Sequence, residues 1–488
     1  MSVYVIAIGG TGTKIVEAVC HLAAAGIYTQ GERIPKIEIL FVDPDKGNGN
    51  LKEADGAIAT YQNCTKNIDQ GINPTLNWWM QTKLEFLGLW TPFQKADEFR
   101  LRDVFKYDDY NGNKEVIRNL FDVLYTEKER DVLLKDGFLG RPAIGSAIMT
   151  QLRQNVATNE SWKELIGKID SDLKTEANNP PQVFLCGSIF GGTGASGFPT
   201  LGRLIAKELD NPETGNLLRK VKLGGLLMLP YFRFPSKEDK EAVFARSEEF
   251  ILKTEAALRY YGTQDLKFDA IYLLGMPTMT NVERFSKGGS DQRNDPHVLE
   301  LYAGLALRDF IFTSKPNERQ VILLSRNKDN EISWEDVPDK DEVRRKLTNA
   351  VRFAYIWLSR IVPGLEHAKT KLGEVDFALK FYDRESIKKS GEWDRINAIK
   401  VWCEAYLKWL GILHANGIGL RWFNVTAFYN QGNLIIDRSN FPDLVEKGLD
   451  KEINIRIRDL SKKDLQGIDN GTTGLAKALY KVLSEKSI

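Results

Sequence analysis

The sequence predicts an α/β architecture: a parallel sheet wrapped by helices over roughly the first two-thirds of the chain, then a mainly helical region. Three observations carry this. Short apolar runs of strand length alternate with amphipathic stretches of helix length. Glycine-rich loops stand between such runs and the helices that follow them. Beyond a polar segment near 327–341 the pattern turns helical, with Trp-rich stretches at 345–361 and 400–415.

Taken in order, residues 3–8 are an apolar first strand, followed by a glycine turn and a helix over about 14–25. The second strand, 36–43, closes on Asp43, at the carboxyl end where open α/β sheets bind ligands. Residues 46–135 are polar, aromatic and irregular, and read as an insertion with short helices such as 115–125. The loop Gly137-Phe138-Leu139-Gly140-Arg141-Pro142-Ala143-Ile144-Gly145 leads to a helix from about 146. Pro180-Pro181 introduces a strand at 182–187, a second glycine loop and a helix over 199–209. A strand at 221–229, a long charged helix at about 237–261 and a strand at 270–274 follow. Residues 296–312 are apolar on most sides, which predicts a helix buried between layers. In the last third one hairpin is expected, with strands 420–429 and 434–437 around Asn430-Gln431-Gly432-Asn433. The division is 1–315 for the sheet domain, 316–341 for a linker with an acidic loop, and 342–488 for the helical region.

Length and composition bound the function. A chain of 488 residues, 42% hydrophobic and 27% charged, is long enough for two to four domains and too apolar for wholesale disorder. The net charge of +1 does not indicate nucleic acid, and it does not oppose self-association. No run of about 18 apolar residues predicts a membrane span, and the first residues form a strand and not a leader. Four scattered cysteines and four histidines fit a reducing cytoplasm better than a zinc site.

The chemistry lies in the loops. Gly9-Gly10-Thr11-Gly12-Thr13-Lys14 joins a strand to a helix, where glycines let backbone approach a phosphate and the helix start supplies N–H donors. It lacks the Walker spacing, and Ile15 stands where a dinucleotide fingerprint needs a small residue. A plain tight turn is the alternative. The second loop, Phe190-Gly191-Gly192-Thr193-Gly194-Ala195-Ser196-Gly197, again lies between an apolar strand and a helix. Two such loops embrace one polyphosphate from both sides.

These loops, in this order, resemble the tubulin/FtsZ superfamily, specifically its divergent prokaryotic tubulin-like branch. Gly191-Gly192-Thr193-Gly194-Ala195-Ser196-Gly197 is similar to the signature G-G-T-G-[ST]-G, with Ala195 in place of the usual hydroxyl residue and Ser196 in place of Gly. Gly9-Gly10-Thr11-Gly12 is similar to the first phosphate loop, and Asp43 and Asp45 fall where the second loop follows strand two. Gly137, Pro142 and Gly145 match the loop that reaches the terminal phosphate, with Arg141 in place of Asn. The resemblance covers roughly 1–340. It implies a tubulin/FtsZ-like Rossmann-type domain with a central helix at 296–312, binding GTP or GDP with Mg²⁺.

The phosphate loops it assigns are Gly9, Gly10, Thr11, Gly12 and Thr13; Gly140 and Arg141; and Gly191, Gly192, Thr193, Gly194, Ala195 and Ser196. Asp43 is placed beside the nucleotide and Asp45 near the metal, with a turn-capping role as the alternative. Asn294 and His297 are the candidates for the base, His297 alternatively capping the central helix. Glu335 and Asp336 are the candidate water-positioning acids, on the face opposite the chain's own nucleotide and so serving a neighbouring copy; a solvated loop is the alternative. The implied activity is a GTPase that assembles head to tail in a nucleotide-dependent way. The alternatives are a non-polymerising switch acting on a protein partner and, behind both, a Rossmann-type oxidoreductase.

Overall fold

In the computed structural model the described residues are 1–68, 79–91, 99–110, 115–134, 137–138, 140–155, 160–175, 179–210, 219–234, 247–282, 288–326, 331–415, 420–437, 443–445, 460 and 470–484. Seven parallel strands form the sheet: β1 Ser2–Ile8, β2 Lys36–Val42, β3 Lys83–Trp90, β4 Gln182–Ser188, β5 Lys222–Met228, β6 Ala270–Leu274 and β7 Gln320–Leu324. In space they run β3-β2-β1-β4-β5-β6-β7. The chain leaves β1 toward one edge and later leaves β4 toward the other, so the order reverses between β1 and β4. Ligands of doubly wound sheets bind at that reversal, outside the carboxyl ends of the strands.

The helices used below are α1 Gly9–Ala24, α2 Gly49–Ile68, α3 Pro142–Asn155, α4 Glu160–Thr175, α5 Gly192–Leu209, α6 Phe250–Thr263, α7 Val298–Phe312, α8 Lys340–Ile356, α9 Val362–Lys371, α10 Ser390–Ala415 and α11 Gly471–Ser484. Neighbouring glycines of β5 show which helix covers which face. A Cβ on Gly224 would meet the Phe310 ring of α7, and one on Gly225 the Phe198 ring of α5. Side chains alternate along a strand, so α7 and α5 lie on opposite faces. Gly304 of α7 is pressed against Leu22 of α1, which puts α1 and α7 in one layer. Only Tyr302, Asp309's exposed face and the terminal Phe312 escape burial in α7, as its apolar sequence predicts.

Two expectations about organisation change. The 46–135 segment is not simply an insertion, because it supplies α2 and the edge strand β3, paired with β2 across a register shift at Ile39/Leu40. Its sequence hid this: the strand Lys-Leu-Glu-Phe-Leu-Gly-Leu-Trp carries charges and a glycine at φ +111°. The 316–341 linker likewise contains β7, an edge strand parallel to β6. The expected helix at 237–261 is described only from 247 onward, as a short 3-10 turn and then α6. The hairpin shrinks to Tyr429–Asn430 and Asn433–Leu434 around Gln431-Gly432, both at positive φ (45° and 86°), the backbone a type I′ turn requires.

The last third is mainly helical. From α8 the chain passes through a π turn, Trp357–Ile361, into α9. These helices form an outer layer on α1 and α2. Trp79 is buried against Trp402 of α10 and Phe353 of α8, and the buried Lys346 amine donates to the carbonyl of Gly26 at 2.8 Å. All four cysteines are buried and free. Among the described residues no helix is long and apolar enough to cross a membrane.

Candidate functional site: the crevice between β1 and β4

Three glycine loops meet at the carboxyl edge where the strand order reverses. Gly9, at φ +71°, follows β1 as the first residue of α1, and a Cβ there would stand 3.2 Å from the Thr193 side chain. A Cβ on Gly192 would stand 2.9 Å from Phe138 and 3.2 Å from the backbone nitrogens of Gly140 and Arg141. A Cβ on Gly145 would overlap the Ser196 hydroxyl. The loops after β1, before α3 and after β4 are therefore in contact, and all three lead straight into helices.

Two of those helix starts are open in a specific sense. The N-cap of α1 is Ile8 and that of α5 is Gly191; neither supplies a side-chain acceptor, and neither first turn holds an acid. Each leaves N–H groups and a positive dipole end at the crevice, which is how helices bind phosphate and other anions. Side-chain cations add little there. Lys14 is buried and ion-paired to Glu300 at 3.2 Å, and Arg141 faces Glu129 at 3.5 Å. The positive character comes mainly from backbone.

Burial sorts the predicted phosphate residues. Gly10, Thr11, Gly140, Arg141, Gly191 and Thr193 keep part of their surface open, whereas Gly9, Gly12, Thr13, Gly192, Gly194, Ala195 and Ser196 are buried. The buried ones shape the crevice from behind. Gly12 lets α1 sit on the sheet: a Cβ would stand 2.7 Å from the Cys186 carbonyl oxygen and 2.8 Å from the carbonyl carbon of Ala7. Gly194 has the same role against Ser188. The Thr13 hydroxyl donates to the carbonyl of Gly10 at 2.9 Å and that of Ser196 to Gly192 at 2.6 Å, so both are spent inside their helices. The Ala195 carbonyl accepts from the Tyr261 hydroxyl at 2.5 Å.

Asp43 and Asp45 organise the loop after β2. Asp43 is buried, accepts from the Asp45 amide at 3.0 Å and the Asn48 side chain at 3.3 Å, and burial pushes its pKa up to about 7. Each Asp45 oxygen accepts a backbone N–H, from Gly47 at 2.9 Å and from Gly289 at 2.6 Å. Asp45 thus closes its own turn and ties it to the segment before α7. Both oxygens hold backbone in place, which is the turn-capping role given as the alternative. Among the described residues no cluster of three or more His, Cys, Asp or Glu could hold a metal ion.

The base candidates are also engaged. His297 is the N-cap of α7: its Nδ1 accepts from the Leu299 amide at 3.2 Å, which leaves the proton on Nε2, facing the Thr280 hydroxyl at 3.0 Å. Burial, with Lys14 nearby, pushes its pKa down to about 3. Glu300 completes the cap by accepting from the His297 amide at 2.8 Å and from the Tyr231 hydroxyl at 2.8 Å. Asn294 donates its amide to Asn50 at 2.8 Å and gives its carbonyl to Lys14 at 3.0 Å. His297 is therefore a capping residue, and Asn294 a link between α1, α2 and α7.

Glu335 and Asp336 do not lie on the opposite face. The helix α7 does cross the sheet, from Lys14 near its start to Gln182, at the start of β4, whose side chain donates to the Ile311 carbonyl at 3.0 Å. But β7 then carries the chain back to the carboxyl edge, and the Tyr302 hydroxyl, one turn into α7, donates to the Asp336 carbonyl at 3.0 Å. Asp336 caps its own 3-10 turn by accepting from the Ser333 amide at 2.9 Å, and pairs with Arg326 at 3.3 Å. Glu335 is exposed and pairs with Lys340 at 3.1 Å.

No protein-family model matches the chain, and comparison with curated proteins returns no match. Sequence reasoning passed over Asn48 and Asn50, whose side-chain amides would stand 3.1 and 3.2 Å from a Cβ on Gly10. The signal was present in Asp45-Lys46-Gly47-Asn48-Gly49-Asn50, a run of turn-forming residues directly after a strand.

Proposed function

We propose that the chain binds a nucleoside di- or triphosphate in the crevice between β1 and β4, with GTP or GDP the nucleotide that the tubulin/FtsZ resemblance leads us to expect. One observation carries this reading. Two helices begin at the point of strand reversal on glycine loops, uncapped and free of first-turn acids, and the loops touch one another. Gly10, Thr11, Gly140, Arg141, Gly191 and Thr193 supply the contacts, chiefly through backbone N–H. The nucleotide acts as a conformational ligand: α1 carries the state of Gly9–Gly12 to the helical layer, where His21 stacks on Trp409 of α10 with ring centroids 4.6 Å apart. Hydrolysis has no support from Glu335 and Asp336, which are tied into a capped turn.

The test is direct. Protein purified without added nucleotide is denatured, and the supernatant is resolved by anion-exchange chromatography. The expected result is about one guanine nucleotide per chain; NAD, or no nucleotide before and after incubation with GTP, contradicts the reading.

Self-association is a second reading, and one observation favours it. The edge strand β7 exposes Val321 and Leu323 at 64% and 65%, beside backbone groups that no further strand among the described residues pairs. Sedimentation velocity across a dilution series with GDP and with GTP tests it: a nucleotide-dependent shift supports assembly, and a single monomeric species throughout contradicts it.

A further inference from the structure

A cavity of about 340 Å³ opens between α1, α2, α10 and residues 293–296, and none of the glycine-loop residues lines it. Its size is that of a small-ligand site. Trp402 and Trp409 of α10 and Tyr61 of α2 border it but contribute little surface, each being at most 3% exposed. His21, only 6% exposed, also lines it, and the His21 Nδ1 is buried with no hydrogen-bond partner among the described residues. Burial pushes the His21 pKa down to about 3, so its ring is neutral and does not repel a positive charge.

Glu17, one turn before His21 on α1, is the polar group that matters most. Its carboxylate is part-buried in the cavity wall and makes no ion pair or hydrogen bond among the described residues. The nearby cations are occupied, Lys14 by Glu300 at 3.2 Å and Arg293 by Glu53 at 2.8 Å. Lys52 and Lys408 also line the cavity but are exposed to solvent, where their charge is screened. Burial raises the Glu17 pKa to about 7 against the attraction of Lys14 and Arg293, so at pH 8 it is a carboxylate those cations offset only in part, and a cation seated beside it stabilises it further.

We propose that this cavity is a second ligand site, distinct in place from the nucleotide crevice, for a small organic cation. The positive nitrogen pairs with Glu17. Because the site sits on the back of α1, a ligand there holds α1 against α10.

Calorimetric titration of the full chain at pH 8 tests this with tryptamine as the cation and indole-3-acetate as an anion bearing the same ring. Tryptamine should bind saturably at one site, and indole-3-acetate should not. Glu17→Gln should weaken tryptamine by at least about tenfold. Ala57→Trp, which fills the cavity from α2, should abolish tryptamine binding while the chain still binds nucleotide, so a folded control remains should Glu17→Gln prove unstable. Indole-3-acetate binding as well as tryptamine, unchanged affinity in Glu17→Gln or Ala57→Trp, or no saturable binding would each overturn the proposal.

Discussion

At the carboxyl edge the starts of α7, α1 and α5 are built in two different ways. At α7 the start is closed: His297 caps the Leu299 amide, Glu300 caps the His297 amide, and Tyr231 and Lys14 satisfy the rest of the Glu300 carboxylate. At α1 and α5 the start is open, with Ile8 and Gly191 as caps and no acid in either first turn. A protein gains stability by capping its helices, so two adjacent uncapped starts on contacting glycine loops mark a place where the chain leaves donors for something else. The closed start is satisfied from within the chain, and the open ones are where we propose that the nucleotide binds.

That comparison can be broken most forcefully at Gly12. If the glycines of the first loop divide into shaping and contacting residues, Gly12→Val drives side-chain atoms into the Cys186 and Ala7 backbone and costs about 3 kcal/mol, as overpacking of a tight core does. Urea denaturation checks this, and a wild-type midpoint would mean that α1 does not need the close approach.

The loop after β2 gives a pH signature. Burial raises the Asp43 pKa from 3.8 to about 7, so the folded chain holds a proton there that the unfolded chain has released. Its contribution to stability is full below about pH 4 and is lost as pH rises through about 7. Asp43→Asn should flatten that decline between pH 4 and 8 in thermal melts. An unchanged profile would place the titration elsewhere.

The closed start should behave as an ordinary cap. His297→Ala should cost about 1 kcal/mol and leave nucleotide affinity within twofold, roughly the price of a lost N-cap. A large loss of nucleotide binding would return His297 to the site. Asp336→Ala should be milder still, because it removes a cap from a single 3-10 turn that Tyr302 and Trp334 also hold; loss of GTP turnover in that variant, measured as phosphate release, would restore a catalytic role.

The fold was readable where one physical signal dominated. Continuous apolar runs marked β1, β2, β4, β5 and β6, and the all-round apolar face of α7 placed it between layers. The strands β3 and β7 escaped because each lies at an edge, where exposure permits Lys83, Glu85 and Gln320 and breaks the apolar pattern. At the site, glycine spacing located the loops but could not say which glycines face the crevice and which face the sheet. That distinction depends on partners far away in sequence, such as Cys186 behind Gly12 and Phe138 in front of Gly192. The roles assigned to Asp45, His297 and Asp336 shifted for a similar reason: carboxylates and imidazoles near helix and turn starts serve backbone N–H groups as readily as ligands.

The account rests on the open helix starts holding phosphate, and Thr193→Asp tests that most directly. Thr193 lies part-exposed in the first turn of α5, where a carboxylate interacts favourably with the helix dipole by about 0.3–1 kcal/mol and occupies the place of the phosphate. Calorimetry with GTP and GDP, paired with thermal melts of the nucleotide-free protein, reads both effects together. The predicted result is a melting temperature equal to or above wild type with nucleotide affinity reduced by at least about tenfold. A variant that folds as well as wild type and binds nucleotide with the same affinity would contradict the account.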